Sequence, residues 1–299
     1  MDILHNLQWV LPLRSPALTQ LAFGLSWLGY STFIMFFVVL GYWTWSKAIF
    51  HRLLLLVAVN ALLNAYIKDY FQDPRPPLEL RLDDLVGASY GIPSGHAQLA
   101  VVIWLWLAWE LRRTWAWVLG SAIALGVIAS RMYLGVHDLE DVLVGAALGG
   151  ASLLVFERMR RHHWLWRRSA TWGAVLIAAC TALALLTWPG GAPPEYIPTL
   201  AGWSVVAIWG LHWDKQHIGY QVPVLLWHKL AVGLLGTACF VGEQKLLKLL
   251  AVHMPMEPVL WALIKGLLGG AFVSLLMPWV FSQLRFAQPA SFPSTVASN

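Results

Sequence analysis

Charge is scarce in this chain. Asp, Glu, Lys and Arg make up only 12% of its 299 residues, against about 25% in soluble domains. With 59% hydrophobic residues and a mean hydropathy of +0.63, such a chain is neither a soluble globular protein nor a disordered one. Cysteine is scarcer still: the two present, Cys180 and Cys239, each sit inside an apolar run. That excludes a disulfide framework and argues against a thiolate metal site, so both read as small apolar packing residues. A basic stripe interleaved with aromatics is also missing. The net charge of +5 comes from cations at the ends of apolar runs, as cytoplasmic membrane loops require, so no nucleic-acid partner is expected. The first twenty residues open with Asp2 and lack a basic region followed by a cleavage site, so no cleavable signal is expected. Ile3, Leu4, Leu7, Val10 and Leu11 fall at helical spacing and predict a short interfacial helix instead.

What the chain has in abundance is long apolar runs and tryptophan, the latter at 19 residues. Indole favours the headgroup region of a bilayer. The expected fold is all-α and polytopic, with about nine transmembrane helices near 20–44, 52–70, 94–111, 114–134, 138–158, 170–188, 198–213, 222–243 and 257–281. A Pro/Gly turn at 189–194 separates a front part, 1–188, from a carboxyl-terminal transmembrane extension, 189–286. The Ser/Pro/Ala-rich tail, 287–299, is expected to be disordered. Eleven of the twenty cations fall on one set of loops, with Arg158, Arg160, Arg161, Arg167 and Arg168 as the densest group. By the positive-inside rule that face is cytoplasmic. The loop 72–93 then faces the opposite side, taken as the periplasm of a bacterial inner membrane.

Three polar clusters interrupt this apolar background, all on that outer side. They are Lys68 through Arg75-Pro76, Pro93-Ser94-Gly95-His96, and Ser130-Arg131 through His137 to Asp141. Lys68, Arg75 and Arg131 lack an equal set of acids and so need an anion. Arginine's planar fork suits phosphate oxygens, and lysine adds a point charge. Ser94 and Gly95 open a helix, where free N–H groups and the dipole's positive end face outward. Together these describe an oxyanion cradle for a phosphoryl group. His137 and Asp141 are four residues apart, which puts them on one face if the helix starts by His137. A carboxylate on one ring nitrogen directs the lone pair of the other toward phosphorus. His96 is placed to protonate the leaving oxygen and later to activate water. The scheme calls for no metal and no cofactor. Taken singly, each feature has an ordinary explanation: a snorkelling cation, a helix cap, or an i, i+4 pair.

The spacing of these clusters resembles the phosphatidic acid phosphatase type 2 superfamily, which includes lipid phosphatases, glucose-6-phosphatase and vanadium haloperoxidases. Its signature is K-x6-RP, PSGH and SR-x5-H-x3-D, and all eleven fixed positions are present in order with the correct gaps. The resemblance implies a six-helix catalytic core followed here by carboxyl-terminal helices. It implies that His137 is the nucleophile, Asp141 its orienter and His96 the general acid. Lys68, Arg75, Ser94, Gly95 and Arg131 would bind the phosphoryl oxygens. The nine-helix layout is similar to glucose-6-phosphatase, and the extended carboxyl half and Tyr90-Gly91-Ile92 to sphingosine-1-phosphate phosphatases.

The expected activity is a metal-independent membrane phosphatase acting on a lipid phosphate or diphosphate, with membrane lipids as its partners. A sugar-phosphate phosphatase or a phosphotransferase would keep the same site residues. A phospholipid transporter or binding protein, a different class, would need the cations but not the two histidines. Lys265, in the last helix, is a candidate for a second headgroup contact. Lys229 has no assigned role. Asp83 and Asp84 read as loop solvation, and Asp214, Lys215 and His217 as a solvated turn. The oligomeric state is not legible.

Overall fold

The computed structural model describes residues 4–87, 89–161, 170–254 and 256–284. The expected disordered tail, Arg167, Arg168 and Arg285 lie outside the described residues. A 3-10 turn, Gln8–Leu13, stands where the interfacial helix was expected. The α-helices are α1 (Pro16–Trp27), α2 (Ser31–Thr44), α3 (Lys47–Phe71), α4 (Gly95–Ala100), α5 (Trp106–Leu111), α6 (Thr114–Tyr133), α7 (Leu139–Arg161), α8 (Ala170–Leu186), α9 (Tyr196–Trp213), α10 (Leu226–His253), α11 (Pro258–Ala271) and α12 (Met277–Gln283). No strand occurs among the described residues.

The all-helical expectation holds among the described residues, but the count of nine membrane spans is not reproduced. Among the described residues, five helices are long and apolar enough to cross a membrane, or up to six if the bent pair α1 and α2 counts as one span. The 25 residues of α3 reach about 37 Å at 1.5 Å each, more than a hydrocarbon core of about 30 Å. A π-helical turn, Val101–Leu105, links α4 and α5 without a break, and a second, Phe272–Leu276, links α11 and α12.

The chain divides into two compact units that interleave in sequence. One comprises residues 1–35, 52–167 and 180–197, and the other 36–51, 168–179 and 198–299. In the first, α4 packs on α6 and α7, and α1 packs on α6. Lipid tails are as apolar as leucine, so helix association in a membrane depends on close approach and polar contacts. Gly145 and Gly149, spaced as GxxxG on α7, supply the approach. A Cβ on Gly145 would collide with the Ser94 backbone, and one on Gly149 with the Gln98 carbonyl oxygen at 2.7 Å. The glycine repeat of α7 therefore seats the start of α4.

In the second unit, the Trp43 indole donates to the Val273 carbonyl at 2.9 Å, and the Tyr220 hydroxyl donates to the Trp43 carbonyl at 2.6 Å. Phe240 gathers Phe36, Trp203 and Phe272 around it. Lys215 and His217 are exposed, as a solvated turn requires, but Asp214 is fully buried. Its carboxylate accepts from the Lys47 ammonium and from the Tyr220 amide, so it joins two segments distant in sequence. Cys180 is exposed rather than packed.

Candidate active site

The site is built around the start of α7. Asp138 caps this helix by accepting the Asp141 amide at 3.0 Å, while the Asp141 carboxylate reaches back to the Asp138 amide at 3.3 Å. This reciprocal capping box fixes the Asp141 side chain. The same Asp141 Oδ2 accepts from His137 Nδ1 at 2.8 Å. The sequence reading required the helix to begin by His137. It begins at Leu139, and the pair forms because the carboxylate folds back over the cap. His137 is 2% exposed and Asp141 1%.

Between Arg131 and His137 the chain reverses at Gly135, whose φ of +72° belongs to the left-handed region. A Cβ there would overlap the Leu80 carbonyl oxygen. The loop 77–86 docks on this turn: the Leu82 amide donates to the Leu134 carbonyl at 2.9 Å, and Arg14 donates to the Leu80 and Tyr133 carbonyls. The amino-terminal segment closes the other side. The Leu139 amide donates to the Leu4 carbonyl at 3.0 Å, and His5 bridges Asp138 at 2.8 Å and Glu140 at 3.2 Å.

The three cations converge on this centre. Arg75 Nη1 lies 3.2 Å from His137 Nε2 and 3.0 Å from the Val136 carbonyl oxygen. Its Nε and Nη2 donate to the carbonyl and hydroxyl oxygens of Ser89 at 2.6 and 2.8 Å. Lys68, at the end of α3, donates to the Tyr90 and Gly91 carbonyls, the latter at 2.7 Å. Arg131 is 1% exposed and donates to the Ser26 hydroxyl and the Asp83 carboxylate. Burial, and then the positive charges of Arg75, Lys68 and Arg131, hold the His137 imidazole well below the ordinary histidine pKa. Both influences favour the neutral ring. With Nδ1–H given to Asp141, Nε2 carries the lone pair. Burial and the neighbouring Arg131 also lower Arg75, to about 10.

The start of α4 completes the site. The Ser94 amide donates to the Asp141 carbonyl at 2.9 Å, which joins the second cluster to the third. Behind Ser94 and Gly95, Asn64 Nδ2 donates to the Pro93 carbonyl at 3.1 Å and to Gln98 Oε1 at 2.9 Å. Gln98 Nε2 in turn donates to Asn60 Oδ1 at 2.8 Å. The His96 ring meets Tyr30 edge-on at 4.8 Å, and the Tyr30 hydroxyl donates to Asp83. Four buried polar atoms here have no hydrogen-bond partner among the described residues: Ser94 Oγ, His96 Nε2, Arg131 Nε and Asp141 Oδ1. Three of them belong to groups suited to an incoming oxyanion.

Lys68, Arg75, Ser94, Gly95, His96, Arg131, His137 and Asp141 all lie in the first unit, whereas Lys265 lies half-buried on α11 in the second. Asp83 departs from its sequence reading. It is 3% exposed and pairs with Arg131 at 3.0 Å, so it is not a solvated loop acid. Asn60, Asn64, Gln98, Tyr30, Ser26 and Asp138 were not foreseen as supports. The shortage of acids around Lys68, Arg75 and Arg131 is the sequence feature that bears on Asp83, and it names no partner.

A family model described as the PAP2 superfamily matches residues 49–167. Phosphatidylglycerophosphatase B of Bacillus subtilis is 31% identical over 157 residues, which cover 48% of this chain and 74% of that protein. The chain belongs to the PAP2 superfamily. Dihydrosphingosine 1-phosphate phosphatase YSR3 of Saccharomyces cerevisiae is 26% identical over 168 residues, 48% of this chain but 42% of that protein. The crystal structure of a transmembrane PAP2-type phosphatidylglycerolphosphate phosphatase from Bacillus subtilis is 25% identical, with a TM-score of 0.46 over 52% of this chain and 83% of that one. As a PAP2 protein the chain is a multi-pass membrane phosphatase. All eleven motif positions fall within the matched residues, and the PAP2 match stops before α8.

Proposed function

We propose that this chain hydrolyses a phosphate ester of a membrane lipid through a phosphohistidine on His137, at the membrane face opposite its arginine-rich helix ends. The observation that carries the reading is the His137–Asp141 pair at 2.8 Å, set in a ring of three cations with unpartnered Ser94, His96 and Arg131 atoms beside it.

In the first step His137 Nε2 attacks phosphorus and the bond to the lipid oxygen breaks. His96 gives its proton to that oxygen, and the charge of the bound phosphate favours the protonated ring beforehand. Lys68, Arg75, Arg131 and the backbone at Ser94–Gly95 hold the equatorial oxygens as charge builds on them. Asp141 keeps the His137 proton on Nδ1. In the second step His96 takes a proton from water, the water oxygen bonds to phosphorus, and the P–N bond breaks. Inorganic phosphate leaves and both histidines return to their starting states. The ring of cations supplies the charge stabilisation, so the scheme needs no metal.

The names of the relatives favour a lipid phosphate such as phosphatidylglycerol phosphate or a sphingoid-base phosphate. The orientation follows from charge. Arg112, Arg113, Arg158, Arg160 and Arg161 cluster at the ends of α5, α6 and α7 remote from the site, and that end is assigned to the cytoplasm. The test is phosphate release in detergent with EDTA from a panel of lipid and sugar phosphates, together with trapping of radiolabelled phosphate on the protein. Acid-labile label is expected on the wild type and none on His137→Ala, and His96→Ala is expected to slow both formation and loss of the label. Full turnover by His137→Ala, or dependence on added metal, would overturn the mechanism. Preference for a sugar phosphate would overturn the substrate class alone.

A further inference from the structure

At the far end of the catalytic unit, α5, α6 and α7 surround a cleft of about 550 Å³. It is lined by Trp109, Arg112, Arg113, Thr114, Trp117, Glu157, Arg160 and Arg161. Twenty residues of α6 separate it from the catalytic end, about 30 Å at 1.5 Å per residue. Arg112 ends α5 in the left-handed conformation, with φ +52°, so the chain reverses within two residues and delivers both Arg112 and Arg113 to the cleft wall. Four arginines and one glutamate give the lining a net charge of +3.

The single acid is already engaged. Glu157 accepts from Arg160 Nε at 2.6 Å, from Arg160 Nη2 at 2.9 Å and from Arg161 Nε at 2.9 Å. It fixes those two guanidinium groups and has little left for the others. Arg112 and Arg113 form no ion pair with an acid among the described residues. The N-terminus of α6 opens here as well, capped by Arg113 without a side-chain hydrogen bond. The cleft therefore combines excess positive charge, forked donors and the positive end of a helix dipole, all of which suit a phosphate oxygen.

The aromatic lining identifies the source of that phosphate. The Trp109 and Trp117 rings meet edge-on at 6.2 Å, each more than a third exposed. Indoles in that setting mark the headgroup level of a bilayer, and basic pockets between helix ends at this depth take lipid headgroups. A free anion would gain nothing from the tryptophans. We propose that this cleft binds the phosphodiester headgroup of an anionic phospholipid, in the leaflet opposite the one where hydrolysis occurs.

The test uses the purified full chain in detergent and counts bound lipid by native mass spectrometry. Phosphatidylglycerol is titrated against phosphatidylcholine, with inorganic phosphate in a parallel arm. The wild type is expected to retain phosphatidylglycerol preferentially. Arg112→Gln with Arg113→Gln is expected to bind it at least about tenfold more weakly, because hydrogen bonds to two charged groups are lost. Arg113→Gln alone should fall between. Lys245→Gln with Lys248→Gln, which changes charge elsewhere, should match the wild type. Unchanged phosphatase activity in the arginine variants would show that the fold and the catalytic centre are intact. Equal retention of both lipids, equal binding by the arginine variants, or displacement of the lipid by millimolar inorganic phosphate would each overturn the proposal.

Discussion

Asp83 and Arg131 form an ion pair at 3.0 Å in which both side chains are almost completely buried. The pair ties the loop between the first two motifs to the end of α6, and Tyr30 and Ser26 take up further bonds of the same two groups. Removing one partner of a buried pair leaves the other charged and desolvated, at a cost of about 3–5 kcal/mol. Asp83→Ala should therefore lower both thermal stability in detergent and affinity for vanadate, a mimic of the pentacoordinate phosphorus. Asp83→Asn retains an acceptor for Arg131 and should lose less of each. Equal unfolding temperatures for Asp83→Ala and the wild type would refute this role.

The contrast between Asp83 and Asp141 shows what could be read from sequence. Asp141 is four residues from His137 on a predicted helix, so spacing alone brought the two together. Asp83 meets Arg131 across 48 residues, through a loop whose path depends on the Leu82–Leu134 contact and the turn at Gly135. No period or motif encodes that path. The same holds for Asn64 and Gln98, which read as isolated polar residues in apolar helices and become a network only when α3 and α4 pack. Helix positions were legible because apolar runs announce themselves. Their end conditions were less so: the helix near 138–158 starts at Leu139 with Asp138 as its cap, so the His137–Asp141 pair does not rest on a helical turn beginning by His137. Asp214 was misread because a polar residue at a helix end looks solvated until Lys47, 167 residues away, is seen to reach it.

Gly135 is predicted to tolerate no side chain. Its φ of +72° is costly for alanine, and the added Cβ would overlap the Leu80 carbonyl oxygen. The strain alone is worth about 1–3 kcal/mol. Because the turn sits between Arg131 and His137, Gly135→Ala should also cut phosphate release severely. Circular dichroism melts and initial rates measured on one preparation would check both effects. Wild-type rates with a lowered melting point would detach the turn from the site.

Asn64 is expected to matter more for turnover than for stability. Hydrogen bonds between membrane helices average only about 0.6 kcal/mol, so Asn64→Leu should melt close to the wild type. The substitution nevertheless frees the Pro93 carbonyl and Gln98 Oε1 directly behind Ser94 and Gly95, the proposed phosphate cradle. A fall in kcat/KM of about tenfold is expected, corresponding to about 1.4 kcal/mol of transition-state stabilisation. A large drop in melting point with unchanged kcat/KM would make the network purely structural.

The last prediction concerns pH. A nucleophilic imidazole works only when unprotonated, and an ordinary histidine loses half its population to the proton near pH 6.5. In this site burial and three neighbouring cations push the His137 pKa well below that value. The sign is fixed by physics: low dielectric and like charge both disfavour the imidazolium, so protonation requires more acid, not less. The profile of kcat/KM reports the free enzyme and free substrate. Once the substrate's own second phosphate ionisation has been measured in the same micelles and divided out, the acid limb belonging to His137 should lie clearly below pH 6.5. Replacing Arg75 by Gln removes the largest neighbouring positive charge acting on the ring. That limb should then move toward neutral pH even as overall turnover falls. A limb at or above pH 6.5 in the wild type, or one that does not move in Arg75→Gln, would mean that a group other than His137 carries the ionisation that limits catalysis.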